Sequence, residues 1–220
     1  AQIDQKYIRD FLSNDSNLKS VPLQYPTQVK RFYTIFNFNT AWISNHSNQH
    51  IFLQLLNQTN SLGLQEKDYQ LTFLQSYTNH TYPLNTGYDS LFAELYFTDI
   101  AIHFFRDIVY GNHPPVLDYN GLKYNPDCTD VTTLLATAIE HNQLNGLVNA
   151  IEIKSKEYLS LKNKIIQYNN IIEDKHFKEI LITSNQLNTN NVAFLNKLYQ
   201  LGFIESDTAK ITDLQLITKL

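Results

Sequence analysis

Apolar residues recur at helical spacing along most of the chain, and the longest such run is Leu91–Gly111, LFAELYFTDIAIHFFRDIVYG. At 3.6 residues per turn, Leu91, Leu95, Ala101, Ile102, Phe104, Phe105, Ile108 and Val109 cover most of its girth, while Asp99, His103, Arg106 and Asp107 gather on one narrow arc. A helix that is apolar on several sides needs partners on several sides. The pattern therefore predicts a mainly α protein, an irregular helical bundle around a central buried helix at about 91–110. It does not predict a membrane span, because Glu94, Asp99, Arg106 and Asp107 fall within the length that would have to cross hydrocarbon.

The same periodicity assigns the other elements. Ile3–Leu12 reads as a first helix, Asn14–Gln28, with Pro22 and Pro26, as an extended loop, and Val29–Phe38 as an aromatic second helix. Ser44–Asn48 reads as a capped turn, Ile51–Leu62 as a third helix stopped by Gly63, and Asp68–Tyr77 as a short fourth. Asp89 or Ser90 is the expected N-cap of the central helix. Beyond Gly111, the pair Asn120-Gly121 sits between alternating apolar residues and predicts a small β-hairpin near 116–124. Val131–Glu140, Lys154–Ile172 and Asn188–Leu201 read as further helices, the second with Tyr158, Leu161, Ile165, Tyr168 and Ile172 on one stripe. Asp213–Leu220 starts one more apolar-periodic segment that stops abruptly, as though cut within an element.

Two residues break the apolar arc of the central helix. Glu94 and Thr98 lie one turn apart and point into it. Either the first turns of the helix are only half covered, or Thr98 bonds a carbonyl of its own helix and Glu94 finds a buried donor, since unpaired buried polar groups are costly, or the two line a binding pocket. Asp99, His103 and Asp107 follow one another at i, i+4 and i+8. A histidine so placed can pair with either carboxylate when protonated, although the ordinary identity of such a row is a solvated face. Trp42, the only tryptophan, is expected as a core plug at a helix–loop junction. Cys128 has no base or oxyanion donors nearby in sequence, and His46 and His50, spaced for chelation on a helix, lack an evident third ligand. No phosphate loop, dinucleotide fingerprint, zinc-protease or serine-hydrolase motif occurs. The residues thus point to no catalytic site, no metal and no cofactor.

Composition narrows the picture further. The chain has 220 residues and a net charge of −4 without any run of Lys or Arg, which leaves no footprint for nucleic acid or an anionic membrane. One Cys rules out an internal disulfide. Frequent Asn and Gln make Asn-x-Ser/Thr triplets at Asn14, Asn45, Asn57 and Asn79, which we read as by-products of composition. The opening Ala1-Gln2 suits either a mature exported protein after signal cleavage or a cloned piece.

Five stretches in order carry a family resemblance. ELYFTDIAIHFFRDIVYG resembles the signature of the scaffold domain of long Gram-negative murein L,D-transpeptidases, with Thr98, Asp99 and Gly111 matching and Phe97 in a Leu position. VKRFYTIFNFNTAWI is similar through Phe32, Tyr33, Phe38, Ala41 and Trp42, with Phe36 and Thr40 replacing Arg and Pro. LNQTNSLGLQEKDY matches through Gly63, Leu64, Asp68 and Tyr69, with Glu66 in place of Pro. The block 134–168 matches at Leu144, Leu147, Tyr158, Leu161, Ile165 and Tyr168, with Ile153 in place of Pro. NVAFLNKLYQLGFI matches at Val192, Leu195, Leu198, Gly202 and Ile204, with Asn196 in place of Arg.

The resemblance implies a helical scaffold domain over 1–205 and, over 206–220, the start of a connection to a peptidoglycan-binding module. The family's catalytic YkuD-type domain, with its Ser-His-Gly-Cys-x-Arg motif, is not in this chain, and Cys128 matches no part of it. By resemblance the chain is expected to be a non-catalytic scaffold piece of an exported, periplasmic cell-wall enzyme that crosslinks peptidoglycan. Its partners would be peptidoglycan, its own catalytic domain or cell-wall synthesis proteins. The rival expectation is a stand-alone helical binding module with a pocket near Glu94 and Thr98.

Overall fold

A computed structural model describes residues 3–79, 81–112, 118–119, 122–123 and 129–173. Nine α-helices occur among the described residues: α1 Gln5–Ser13, α2 Asp15–Ser20, α3 Pro26–Ile35, α4 His46–Leu56, α5 Leu71–Thr78, α6 Gly87–Tyr110, α7 Val131–Glu140, α8 Leu144–Ile151 and α9 Lys156–Glu173. Two short 3₁₀ turns, Thr59–Leu62 and Glu66–Tyr69, join α4 to α5. The expected hairpin is present as β1 Asp118–Tyr119 and β2 Leu122–Lys123, paired antiparallel with Asp118 opposite Lys123 and Tyr119 opposite Leu122. The chain is therefore the mainly α bundle that the periodicity predicts. No helix among the described residues is long and apolar enough to cross a membrane.

The chain divides into two units, 1–159 and 160–220. The first is built around α6, which packs on α3, α7, α8 and the Glu66–Tyr69 turn. Phe97, Phe104 and Phe105 of α6 meet Phe52 of α4, and Phe97 also meets Tyr77 of α5 and Trp42 of the α3–α4 loop. All of these aromatic side chains are buried, each contributing about 1.5–3 kcal/mol of hydrophobic stabilisation. Of the second unit, 160–173 are described, and they continue α9. The predicted stripe of α9 is largely solvent-facing, with Leu161 66% and Ile172 58% exposed. The expectations for Asn188–Leu201, for the connection at 206–220 and for Asp213–Leu220 lie outside the described residues, as does Cys128.

Several boundaries differ from those expected, each for a local reason. The stretch expected to be an extended loop holds α2, because the Asn14 side chain accepts from Ser16 N at 2.9 Å and starts a turn. Pro26 does not extend the loop but opens α3 at its first position, where a missing N–H costs nothing. That helix ends at Ile35, three residues early, because Asn37 and Phe38 turn left-handed (φ 51° and 56°) and Phe38 N bonds back to Tyr33 O. Asn45 caps α4, so the predicted turn is already helical from His46. The third helix stops at Leu56 and only its tail, the 3₁₀ turn, runs on to Gly63, which is left-handed as expected. Thr86, not Asp89 or Ser90, caps α6; Asp89 closes the box from the third helical position, bonding Thr86 N at 2.8 Å. α8 occupies a stretch whose apolar run is too short for periodicity to assign.

Candidate functional site

The polar residues of α6 fall into two groups, and each reaches a separate part of the chain. Glu94 and Thr98 are fully buried. Opposite them runs the α3–α4 loop, whose consecutive backbone N–H groups at Ala41, Trp42 and Ile43 have no helix or strand to pair with. Buried N–H groups need acceptors. Glu94 supplies them: Oε2 accepts from Ile43 N at 2.8 Å and Trp42 N at 3.3 Å, while Oε1 accepts from Ala41 N and from Trp42 N at 3.2 Å. Three successive amides converging on one carboxylate form a small anion nest, filled here by a side chain of the same protein.

The side-chain bonds extend this clamp. Trp42 Nε1 donates to Thr98 Oγ1 at 2.9 Å, Thr98 Oγ1 lies 2.7 Å from the Tyr33 hydroxyl, and that hydroxyl donates to Glu94 Oε1 at 3.1 Å. Thr98 also reaches its own helix at Glu94 O, 3.1 Å away. The indole is stacked on Phe97 with centroids 4.4 Å apart, so Trp42 is the core plug that the sequence suggests. Burial pushes the Glu94 carboxyl above its ordinary value, against the pull of the Ile43, Ala41 and Trp42 amides and Tyr33. Tyr33 is likewise raised, first by burial and then by the charge of Glu94. The helix is not half covered here, since both side chains are fully buried, and the geometry realises the internal alternative: their polar atoms are taken up by the chain's own donors and acceptors.

The second group is Asp99, His103 and Asp107. The row is not a solvated face: Asp99 and Asp107 are buried and His103 is half-buried. Asp99 Oδ2 accepts from Gln24 N at 2.9 Å and Oδ1 from Tyr25 N at 2.7 Å. Tyr25 is the N-cap of α3 and has no capping side chain, so Asp99 provides from α6 the negative charge that this helix start favours. Burial raises the Asp99 carboxyl, opposed by those two amides and by His103. Asp107 Oδ2 accepts from the Tyr69 hydroxyl at 2.7 Å and lies 3.2 Å from His103 Nε2. The Tyr69 hydroxyl is pushed well up by burial and by the Asp107 carboxylate. Tyr25 and Tyr69 flank the imidazole at 5.7 and 5.2 Å, and Arg106 lies over the Tyr25 and Tyr110 rings. Beyond His103 opens a polar cleft of about 550 Å³, lined by Gln24, Lys67, Asp68, Gln70 and Asn112 among others.

His46 and His50 are exposed on α4, and among the described residues no three His, Cys, Asp or Glu side chains are grouped to hold a metal ion. Glu94 bonds the amides of the α3–α4 loop, Asp99 the two amides that lead into α3, and Asp107 the hydroxyl of the Glu66–Tyr69 turn. The family described as "Scaffold domain" matches residues 27–165, well over half of the chain. The chain belongs to the scaffold domain family of L,D-transpeptidases. No curated protein and no solved structure matches it.

Within the scaffold domain, six of the residues that carry the family resemblance belong to the two clusters. Tyr33, Ala41, Trp42 and Thr98 belong to the Glu94 clamp, and Asp99 and Tyr69 to the second network. Gly111, the last residue of the helix signature, ends α6 with φ 80° and ψ 156°, a backbone conformation that is essentially reserved to glycine. The sequence shows Glu94 and Thr98 as polar intruders but does not place Tyr33 or the 41–43 amides beside them. Nothing local signals such a partnership across more than 50 residues.

Proposed function

We propose that the scaffold domain is the non-catalytic frame of an exported L,D-transpeptidase of the cell wall. In this reading it holds the catalytic and glycan-binding modules of the full-length enzyme, which crosslinks peptidoglycan stem peptides with release of a D-amino acid. It works in the periplasm or cell envelope, and its partners are peptidoglycan, the enzyme's own catalytic module and cell-wall synthesis proteins. The observation that supports the reading best is the use made of the family-matching residues. Tyr33, Trp42, Thr98, Asp99 and Tyr69 are spent on bracing segments of the domain against one helix, the job of a frame.

The test is chemical. Incubated alone with purified disaccharide-tetrapeptide, the chain is expected to release no D-amino acid and form no crosslinked dimer by mass spectrometry, while the full-length protein does both. Release by the chain alone would overturn the reading.

A further inference from the structure

We propose that an aromatic face built from α1, α5 and the first half of α6 is a docking surface for a short, extended, cationic peptide segment. The solvent-facing stripe of a long helix is ordinarily charged. On α6 it begins instead with Tyr88, Phe92 and Tyr96 at i, i+4 and i+8, the first 44% exposed and the others half-buried. From α1 come Tyr7, 41% exposed, and Phe11. The Tyr7 ring lies 3.9 Å from where a Cβ of Gly87 would stand, and Phe11 meets Tyr88 edge-on at 6.2 Å. On the other flank Tyr96 stacks on Phe92 at 5.4 Å and meets Phe73 of α5 at 4.9 Å, and Phe73 meets Tyr82 at 5.2 Å. Single exposed apolar residues are commonplace, but a run of rings in contact with one another marks an interaction site, because Tyr and Phe supply large contact area at little cost in conformational freedom.

Charge and area select the occupant. Asp4 lies beside Tyr7, accepting its N–H at 2.8 Å, and Asp89 follows Tyr88 in the first turn of α6. Burial and then the Asp89 charge raise the Tyr82 hydroxyl; burial and then the Asp99 charge raise that of Tyr96. The side-chain charges that act on these two rings are therefore carboxylates. Among the described residues the cation–π contacts, Arg9 on Phe38 and Arg106 on Tyr25 and Tyr110, involve none of the seven rings. A second copy of a chain of net charge −4 would bring the same carboxylates against the face, whereas a cationic partner complements them. With five rings half-buried, the face offers on the order of 500 Å², short of the roughly 800 Å² per partner of a stable protein–protein interface but ample for a few peptide residues. Arginine suits it doubly, since a guanidinium both stacks on aromatic rings and pairs with carboxylates. An extended segment also leaves its carbonyls open to the tyrosine hydroxyls.

The probe is a decapeptide of alternating proline and arginine, extended and cationic without internal hydrogen bonds, titrated into the chain and followed by calorimetry and backbone amide shifts. Saturable binding with a dissociation constant of about 10⁻⁴ M or tighter is expected, with shifts gathered at 7–11, 73, 82 and 88–96. Tyr7→Ser and Tyr88→Ser, both at exposed positions, should melt with the parent and bind roughly threefold more weakly or worse. The proline–glutamate decapeptide should not bind, and about 0.5 M salt should weaken the proline–arginine complex without abolishing it. No saturable binding, shifts elsewhere, serine variants that bind like the parent, equal binding of the glutamate peptide, complete loss in salt, or self-association of the chain through these rings would each overturn the inference. It does not rest on the cell-wall reading, and none of these outcomes bears on D-amino acid release.

Discussion

Glu94 sits in the middle of the most apolar helix of the chain, and its partners are backbone amides rather than a cation. Every group facing its carboxylate is a donor: three N–H groups and the Tyr33 hydroxyl. Glu94→Gln would turn an amide NH₂ toward one of those N–H groups and leave buried donors unpaired, so we expect it to lose about 2–3 kcal/mol in urea unfolding. A loss under about 0.5 kcal/mol would contradict the clamp. Asp130 gives a pH-dependent counterpart. It caps α7, accepting from Thr133 N at 3.2 Å and from the Thr133 hydroxyl at 2.7 Å, and it pairs with Arg31 of α3. Burial works to raise its carboxyl, but Thr133 and Arg31 outweigh it and the value is lowered. A lowered folded-state value means the stability it contributes is fully present above the ordinary carboxylate range and is lost as pH falls through the folded-state value. Asp130→Ala should therefore cost about 1 kcal/mol at neutral pH, with the gap to the parent narrowing in acid; a gap constant with pH would contradict the assignment. At this scale the sequence shows which residues are anomalous but not what they meet. The acid–histidine–acid spacing is the same on a solvated face and a covered one, and only Gln24, Tyr25 and Tyr69, far away in sequence, decide between them.

At the scale of elements, the helices are legible where their apolar stripes are long, as in α6 and α7, and their ends are legible where glycine marks them. The departures gather at caps. Asn14, Asn45 and Thr86 start helices through side-chain bonds, and the left-handed Asn37 and Phe38 end α3 without a glycine. The Asn and Thr side chains belong to residue types that also populate loops, so pattern alone does not separate the two uses, and nothing in the pattern marks Phe38 as left-handed. Two glycines show how conformation rather than space governs substitution. A Cβ would meet nothing within 4 Å at Gly111 or at Gly146. Gly111→Ala should still cost about 1–3 kcal/mol, because φ 80° with ψ 156° strains any side chain. Gly146→Ala, in the exposed first turn of α8 with no such φ, should gain about 0.5 kcal/mol in thermal unfolding. Equal effects at both positions would contradict the described end of α6.

For the whole molecule, a bundle around one helix follows from the girth of apolar residues on α6, and this much is readable from periodicity. Less readable is that the same helix is the attachment rail for three irregular segments, through carboxylates at Glu94, Asp99 and Asp107. Long-range bonds of this kind leave no periodic trace; in the sequence they surface only as the ordered motifs of the resemblance. The most direct test of the rail is native-state hydrogen exchange at Ala41, Trp42 and Ile43. These amides lie in a loop, where exchange is ordinarily fast. The clamp predicts protection close to that of the α6 amides, on the order of 10⁴-fold or more for a protein of ordinary stability, with protection at all three lost together in Glu94→Gln. Exchange at the rate of an open loop in the parent protein would contradict the account.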